Sequence, residues 1–347
     1  MGAVCWMKDK RMKRWGTIYL FCALAVILVM LTCCSLGRYY VSLEDVFRAL
    51  SNYLIGTKYV IERKAYTSVV LMRLPRIVMS VLVGSSLSIS GCVYQSVFNN
   101  KLVSPDLLGV TEGSCVGAAL AILLGGSGVA IMIHSFLFGI FAVVLTLFLT
   151  SMMRNSANIT MVLSGIIISA VFSSALGLIK YAVDSLEKLE AITFWIMGSF
   201  SSVTMKEVMN SAPFIIGATI VLIVLRYRIN IISLGKMESE MLGVRFGVTR
   251  LVVILCATIL TACSTAVCGT VSWIGLIIPH VARLISGSDN KRLIPFSALL
   301  GACALPLIDT LCRSLTVNEI PISILSAAIG AIVYSILLVR RGRMLHD

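Results

Sequence analysis

Eight stretches of this chain contain no Asp, Glu, Lys or Arg: 17–37, 77–98, 113–153, 155–179, 208–225, 251–282, 293–308 and 320–339. A helix that crosses a bilayer needs about 20 apolar residues, within a range of roughly 17–25. Six of the runs match one helix each. The run 113–153 is too long for one helix and predicts a break at Gly125-Gly126-Ser127-Gly128, and 251–282 predicts a second break at Gly269. The expectation is an all-α polytopic membrane protein of about ten transmembrane helices. The apolar runs do not alternate with polar residues, which excludes the strands of a membrane barrel. Only 13% of residues are charged and the mean hydropathy is +0.98, where a soluble domain carries about 25% charged residues.

The net charge is +13. On a water-soluble chain this would suggest nucleic acid; here basic residues hold loops on the cytoplasmic side and face anionic lipid. With both termini inside, 18 of the 29 Lys and Arg fall in inner segments, Lys8, Arg14, Arg154, Arg226, Lys236, Arg250 and Arg341 among them. The expected organisation is one transmembrane domain over 1–347. It has a basic cytoplasmic N-terminus (1–16), a cytoplasmic loop at 226–250 and a basic cytoplasmic tail (340–347). The first apolar run exceeds the roughly 7–15 residues of a signal-peptide core, and Leu31-Thr32-Cys33 is a poor lipoprotein box. The 11 cysteines are odd in number and form no C-x-x-C, so they read as small hydrophobes.

Ser42-Leu43-Glu44-Asp45 predicts a capped amphipathic helix on the outer membrane surface. Ser104-Pro105-Asp106 reads as the start of the third span at the inner face. In the inner loop, Leu234, Met237, Met241 and Leu242 fall on one side of a short helix between Gly235 and Gly243. That helix either rests on lipid headgroups or docks a cytoplasmic partner, with Glu238 and Glu240 adding specificity. No phosphate-cradling G-x-x-x-x-G-K-[ST] occurs, and the 3 histidines are too few and scattered for a haem or zinc site. Ionisable groups within spans look nearly absent, Asp309 being the nearest candidate, with Arg313 one turn later as its expected ion-pair partner. A carrier driven by a proton or sodium gradient keeps such a group at mid-membrane. The expected energy source is therefore a partner.

Several segments resemble the FecCD-type permeases of bacterial ABC importers. They are Arg73-Leu74-Pro75-Arg76 with Gly84, Gly91 and Gln95; Ser104-Pro105-Asp106-Leu107-Leu108-Gly109; Leu163-Ser164-Gly165; Trp195-Ile196-Met197-Gly198; Leu234-Gly235 to Leu242-Gly243; and Gly275-Leu276-Ile277-Ile278-Pro279-His280-Val281-Ala282-Arg283, followed by Asp289, Pro295, Asp309, Arg313, Glu319 and Gly330. The match runs in order over roughly 70–341. It departs from the family at Lys101-Leu102-Val103 and at Asn290-Lys291.

The resemblance implies two inverted five-helix repeats of the type II importer permease, which translocates an iron chelate by alternating access across the cytoplasmic membrane. It also implies a homodimer or a paired paralogue, two cytoplasmic ATPases that carry the ATP and Mg, and an extracytoplasmic binding protein. The chain itself would be no enzyme and would hold no cofactor. On this resemblance Arg73, Arg76 and Arg313 dock acidic groups of the binding protein, the competing role being headgroup binding. Leu234, Gly235, Met237, Glu238, Met241, Leu242 and Gly243 form the ATPase coupling helix. Ser164, Ser169 and Ser173 of the fifth span are candidates for the translocation pathway, or else packing residues between helices. The alternatives are a cobalamin or haem permease of the same architecture, or a gradient-driven carrier.

Overall fold

A computed structural model describes the backbone of residues 2–153 and 158–343, and the side chains of 15–153, 158–337 and 339. The expectations for Arg154 and for the tail beyond Arg343 lie outside the described residues. Among them every regular element is helical. In chain order these are α1 (Gly2–Ser35), α2 (Leu43–Leu54), α3 (Arg63–Tyr66), a π-helical turn (Thr67–Arg73), α4 (Leu74–Val97), a 3-10 turn (Pro105–Leu108), α5 (Val110–Leu123), α6 (Gly128–Met152), α7 (Asn158–Ala182) and α8 (Leu186–Met197). They continue with α9 (Met205–Ile232), α10 (Lys236–Met241), α11 (Phe246–Cys268), α12 (Ile274–Ser286), α13 (Asn290–Ser314) and α14 (Ile322–Arg343). Seven segments are long and apolar enough to span a membrane, and α5, α12 and the 322–337 part of α14 are shorter apolar helices. The long runs break where the glycines predicted, at 124–127 and 269–273.

Two sets of five follow one another: α1, α4, α5, α6, α7 and α9, α11, α12, α13, α14. In each set the third member is short, 14 residues in α5 and 13 in α12, and a full-length helix of 25 residues comes next. Five is odd, so corresponding helices cross in opposite directions and the repeat is inverted. The halves are interlocked. The second members, α4 and α11, pack on each other, and each also packs on the short helix and the long helix after it from the other half: α4 on α12 and α13, α11 on α5 and α6.

The core sits on α4, where almost every side chain from Met79 to Val97 is buried. Small residues make this possible, because lipid offers no hydrophobic drive and helices hold by close packing. Gly84 and Gly91 lie on one face of α4. A Cβ added to Gly84 would fall 2.2 Å from the carbonyl oxygen of Gly301 on α13, and one added to Gly91 would fall 1.7 Å from that of Gly275 on α12. Hydroxyls stitch the same helix to α11: Ser90 Oγ donates to the Ala257 carbonyl at 3.0 Å and lies 2.7 Å from Thr261 Oγ1, and Tyr94 OH is 2.9 Å from Thr258 Oγ1.

Ser42 caps α2 as expected, accepting from the Asp45 amide at 3.1 Å. The apolar side of α2 meets protein as well as surroundings: Val46 and Ala49 are buried with Cys33, Cys34 and Val69. The expectation for the third span is corrected. Ser104 begins only the 3-10 turn, and Gly109, at φ +81°, reorients the chain so that α5 starts at Val110. The turn is re-entrant. Leu107 and Leu108 press on Gly165, and Gly109 lies against Ile168 and Ser169. These contacts fall 7–11 residues along α7, about 10–16 Å at 1.5 Å per residue. Glu112, in the first turn of α5 and half-buried, is therefore carried well along the length of α7, an ionisable group that the charge-free runs left at the edge of a span.

Adding bulk where α4 meets α12 should be costly. Gly91→Val should lower stability by about 1–3 kcal/mol or more through overpacking against the Gly275 backbone, read as a fall in melting temperature of the detergent-purified chain. Gly177→Ala, where nothing lies within 4 Å of the new Cβ, should leave it unchanged. Equal melting of both variants would refute the contact.

Candidate functional site: the two ends of the bundle

One end holds a cavity of about 590 Å³ between the start of α4, the end of α13, the loop after α1 and the loop before α9. Its walls include Arg38, Met72, Arg73, Arg76, Ser202 and Glu319. All three arginines expected at this end come together here. Their side chains are buried: Arg73, Arg76 and Arg313 are 6%, 7% and 8% exposed.

Each has internal acceptors. Arg76 Nε donates to Asp309 Oδ1 and Oδ2 at 3.0 and 2.8 Å, and its Nη2 reaches Oδ1 at 2.8 Å. Its Nη1 donates to both oxygens of Glu319 at 2.9 Å. One guanidinium thus joins α4 to α13 and to the loop between α13 and α14, using the bidentate geometry that suits Arg to carboxylates. Arg73 Nη1 donates to the carbonyls of Cys34 at 2.6 Å and Ser35 at 3.1 Å, and Nη2 to that of Tyr39. Arg313 Nη2 donates to the Cys33 carbonyl and, at 3.2 Å, to Thr310 Oγ1. Two cations therefore serve the C-terminal carbonyls of α1, which lack helical partners and carry the negative end of its dipole.

The expected pair of Asp309 with Arg313 is corrected: Asp309 pairs across helices with Arg76, because Arg313 is committed to the end of α1. The docking expectation changes too. These guanidinium groups form the floor of a cavity, and the exposed cations nearby are Arg38, Arg63 and Lys64. Glu319 appeared in the sequence only as part of a motif. Its partner is 243 positions away, so no local spacing could have revealed the role.

The opposite end is fixed by α9, whose 28 residues make a rod of about 42 Å. Its far end leads into α10. Leu234, Met237, Met241 and Leu242 are 59%, 70%, 77% and 59% exposed, an apolar cluster with no cover. Glu238 and Glu240 are exposed beside it. Ser239 is the exception, fully buried, with its hydroxyl donating to the carbonyls of Ile231 at 2.9 Å and of Gly235. Gly235 at φ +120° and Gly243 at φ +75° bracket the turn, a backbone region that side chains disfavour. The loop is shorter than the expected 226–250, since α9 runs to Ile232 and α11 starts at Phe246. Arg250 is buried within α11, donating to Asn158 Oδ1 at 2.9 Å. Asn230 ties this end to the α12–α13 turn: it donates to Asp289 Oδ1 at 2.6 Å and accepts from the Asn290 amide at 2.8 Å.

The three serines of α7 do not share a face. At 100° per residue Ser164 and Ser173 point to opposite sides. Ser164 is fully buried and Ser173 exposed, with Ser169 half-buried. Ser164 therefore lies between helices, as the packing alternative has it. The exposed stripe of α7 is mostly apolar, with Leu163, Ile166, Ile167, Val171 and Leu178.

Ten apolar helices in two inverted fives, with two differently built ends, define a multi-pass membrane protein. The sequence matches the model of the FecCD transport family over residues 24–340. It is 38% identical over 327 residues to the molybdate import system permease protein of Haemophilus influenzae, covering 92% of this chain and 96% of that one. It is 35% identical over 318 residues to a Helicobacter pylori protein named "Probable iron chelatin transport system permease protein", covering 90% and 94%. The fold matches a solved structure described as "An inward-facing conformation of a putative metal-chelate type ABC transporter", with TM-score 0.84, 33% identity and coverage of 94% and 99%. The chain belongs to the FecCD transport family. It is a permease subunit of an ATP-binding-cassette importer.

Removing one member of the Arg76 network should be costly. Asp309→Asn leaves a buried guanidinium short of a charge partner, at about 3–5 kcal/mol, and should depress the melting temperature. Arg76→Met combined with Asp309→Leu should recover most of the loss. A single variant as stable as the parent would overturn the network's role.

Proposed function

We propose that this chain is the membrane pathway of an importer for a metal chelate, with an iron chelate as the first candidate cargo. The observation that carries the reading is the fold match, over nearly the whole of both chains, to a metal-chelate type ABC transporter. A second cargo is molybdate, favoured by the 38% identity to a molybdate import permease. Haem and cobalamin are the remaining candidates of the same architecture.

In this reading the α10 end faces the cytoplasm and docks one of two partner ATPases. Burial of Leu234, Met237, Met241 and Leu242 against such a partner, at roughly 1.5–3 kcal/mol per large apolar side chain, would account for an uncovered apolar turn held rigidly by Ser239. The cavity end faces outward and receives a substrate-binding protein, with Arg38, Arg63 and Lys64 steering its acidic surface. The buried Arg73, Arg76 and Arg313 hold that surface in shape and meet a partner only through a group that enters the cavity. A second copy of the chain, or a paralogue, covers the apolar stripe of α7 and encloses the pathway beside Ser173. ATP and Mg belong to the ATPases.

The test is uptake into vesicles holding this chain with its ATPase and binding protein. ATP-dependent accumulation of radiolabelled iron chelate supports the first cargo, and accumulation of molybdate instead supports the second. Uptake that needs no ATPase and follows a pH or sodium gradient would refute the reading. Met237→Asp with Met241→Asp should cut ATPase co-purification and uptake at least tenfold while the permease keeps its melting temperature.

A further inference from the structure

The cavity at the arginine end carries more positive charge than its partners offset. Of the guanidinium groups that line it, Arg76 holds Asp309 and Glu319, while the carboxylates of Glu62 and Glu207 are bonded to Tyr39 and Thr204 of the wall. Among the described residues, Arg73 and Arg313 have no carboxylate within 4.0 Å. They are also close to each other. Both converge on Gly37, where an added Cβ would lie 2.7 Å from Arg73 Nη2 and 3.0 Å from Arg313 Nη1. The C-terminal carbonyls of α1 supply the equivalent of about half a negative charge, which two buried cations exceed. Arg313 Nε, on a side chain more than nine-tenths buried, has no hydrogen-bond partner. A buried donor left unsatisfied costs about 1–3 kcal/mol, and more when charged.

We infer that this cavity is an oxyanion site that takes a phosphate group. Both Nη groups of Arg73 and Nη2 of Arg313 already serve carbonyls at the end of α1 and in the loop after it, so a phosphate would be met by the remaining donors, Arg313 Nε and Nη1 and Arg73 Nε, with the charge of both guanidinium groups behind them. Ser68, Ser201 and Ser202 line the same space and bring hydroxyl donors for the remaining oxygens. The depth suits a phospholipid headgroup: α1 ends at Ser35 and α13 at Ser314, and α9 starts at Met205, so the cavity lies where apolar spans give way to the interface. Leu71 and Met72, also in the lining, are 62% and 67% exposed and offer an apolar rest for acyl chains. A free phosphate ion satisfies the same donors without using that apolar edge. The assignment does not depend on which cargo the permease carries.

The experiment is native mass spectrometry of the full chain in detergent. Its probes are phosphatidylglycerol, a glycosyl diacylglycerol with the same tails and no phosphate, and inorganic phosphate against chloride at equal ionic strength. One phosphatidylglycerol should be retained per chain, and the glycolipid should not. Retention should fall at least tenfold in Ser202→Glu, which sets a carboxylate at the cavity wall from an exposed position and should not lower the melting temperature. Arg313→Gln should lose retention as well; if it does not fold, Ser202→Glu decides alone. Displacement of the lipid by millimolar inorganic phosphate assigns the site to the free ion, and resistance to it assigns the headgroup; both uphold a phosphate site. Equal retention of the two lipids, or retention untouched by Ser202→Glu, overturns the assignment. So does protection of the cavity by acidic peptides alone, which would make its occupant a protein carboxylate.

Discussion

Backbone contact between α4 and the two helices α12 and α13 is the constraint on which the rest of this molecule depends. At Gly84 and Gly91 the neighbouring carbonyl oxygens occupy the space that any side chain would need. In lipid, where apolar surface gains nothing by leaving the solvent, such proximity is what holds helices together. It also sets the depth of α12, and so the level at which the second half of the chain turns back. Arg76 then acts on helices already in place. It reaches Asp309 and Glu319 because α13 lies against α4 along its length.

Much of this was legible in the sequence. Charge-free runs gave the number of spans, and the glycines at 125–128 and 269 marked the breaks, because span length and turn chemistry are local properties. The apolar side of the α10 turn was also readable from four residues close in sequence. What the sequence did not reveal was depth and direction. Pro105 suggested a helix start at the membrane face, yet the turn it begins folds back into the bundle, because the contact with Gly165 on α7 is made across 57 positions that no local pattern reports. Ser164 and Ser173 looked alike as hydroxyls, and only the helical angle between them separates an interior position from an exposed one.

The arginines show the same limit in electrostatic form. Against the expected preference for basic residues inside, Arg73, Arg76 and Arg313 invited an external partner. The structure gives their charge a first use within the fold: one cation bridges two carboxylates, and two others serve the end of α1. The local pairing of Asp309 with Arg313 failed because Arg76, on a neighbouring helix, offers Asp309 the Nε–Nη2 edge of its guanidinium, while Arg313 is turned to the end of α1.

The helix α9 touches both ends of the molecule. Its Thr204 cap belongs to the wall of the arginine cavity, and its last turn grips the Ser239 hydroxyl through Ile231 and the α12–α13 turn through Asn230. A stiff shaft anchored this way cannot let one end shift while the other stays still, unless it flexes at Pro213, the proline inside it. The two surfaces are therefore built on the two ends of a single continuous strut.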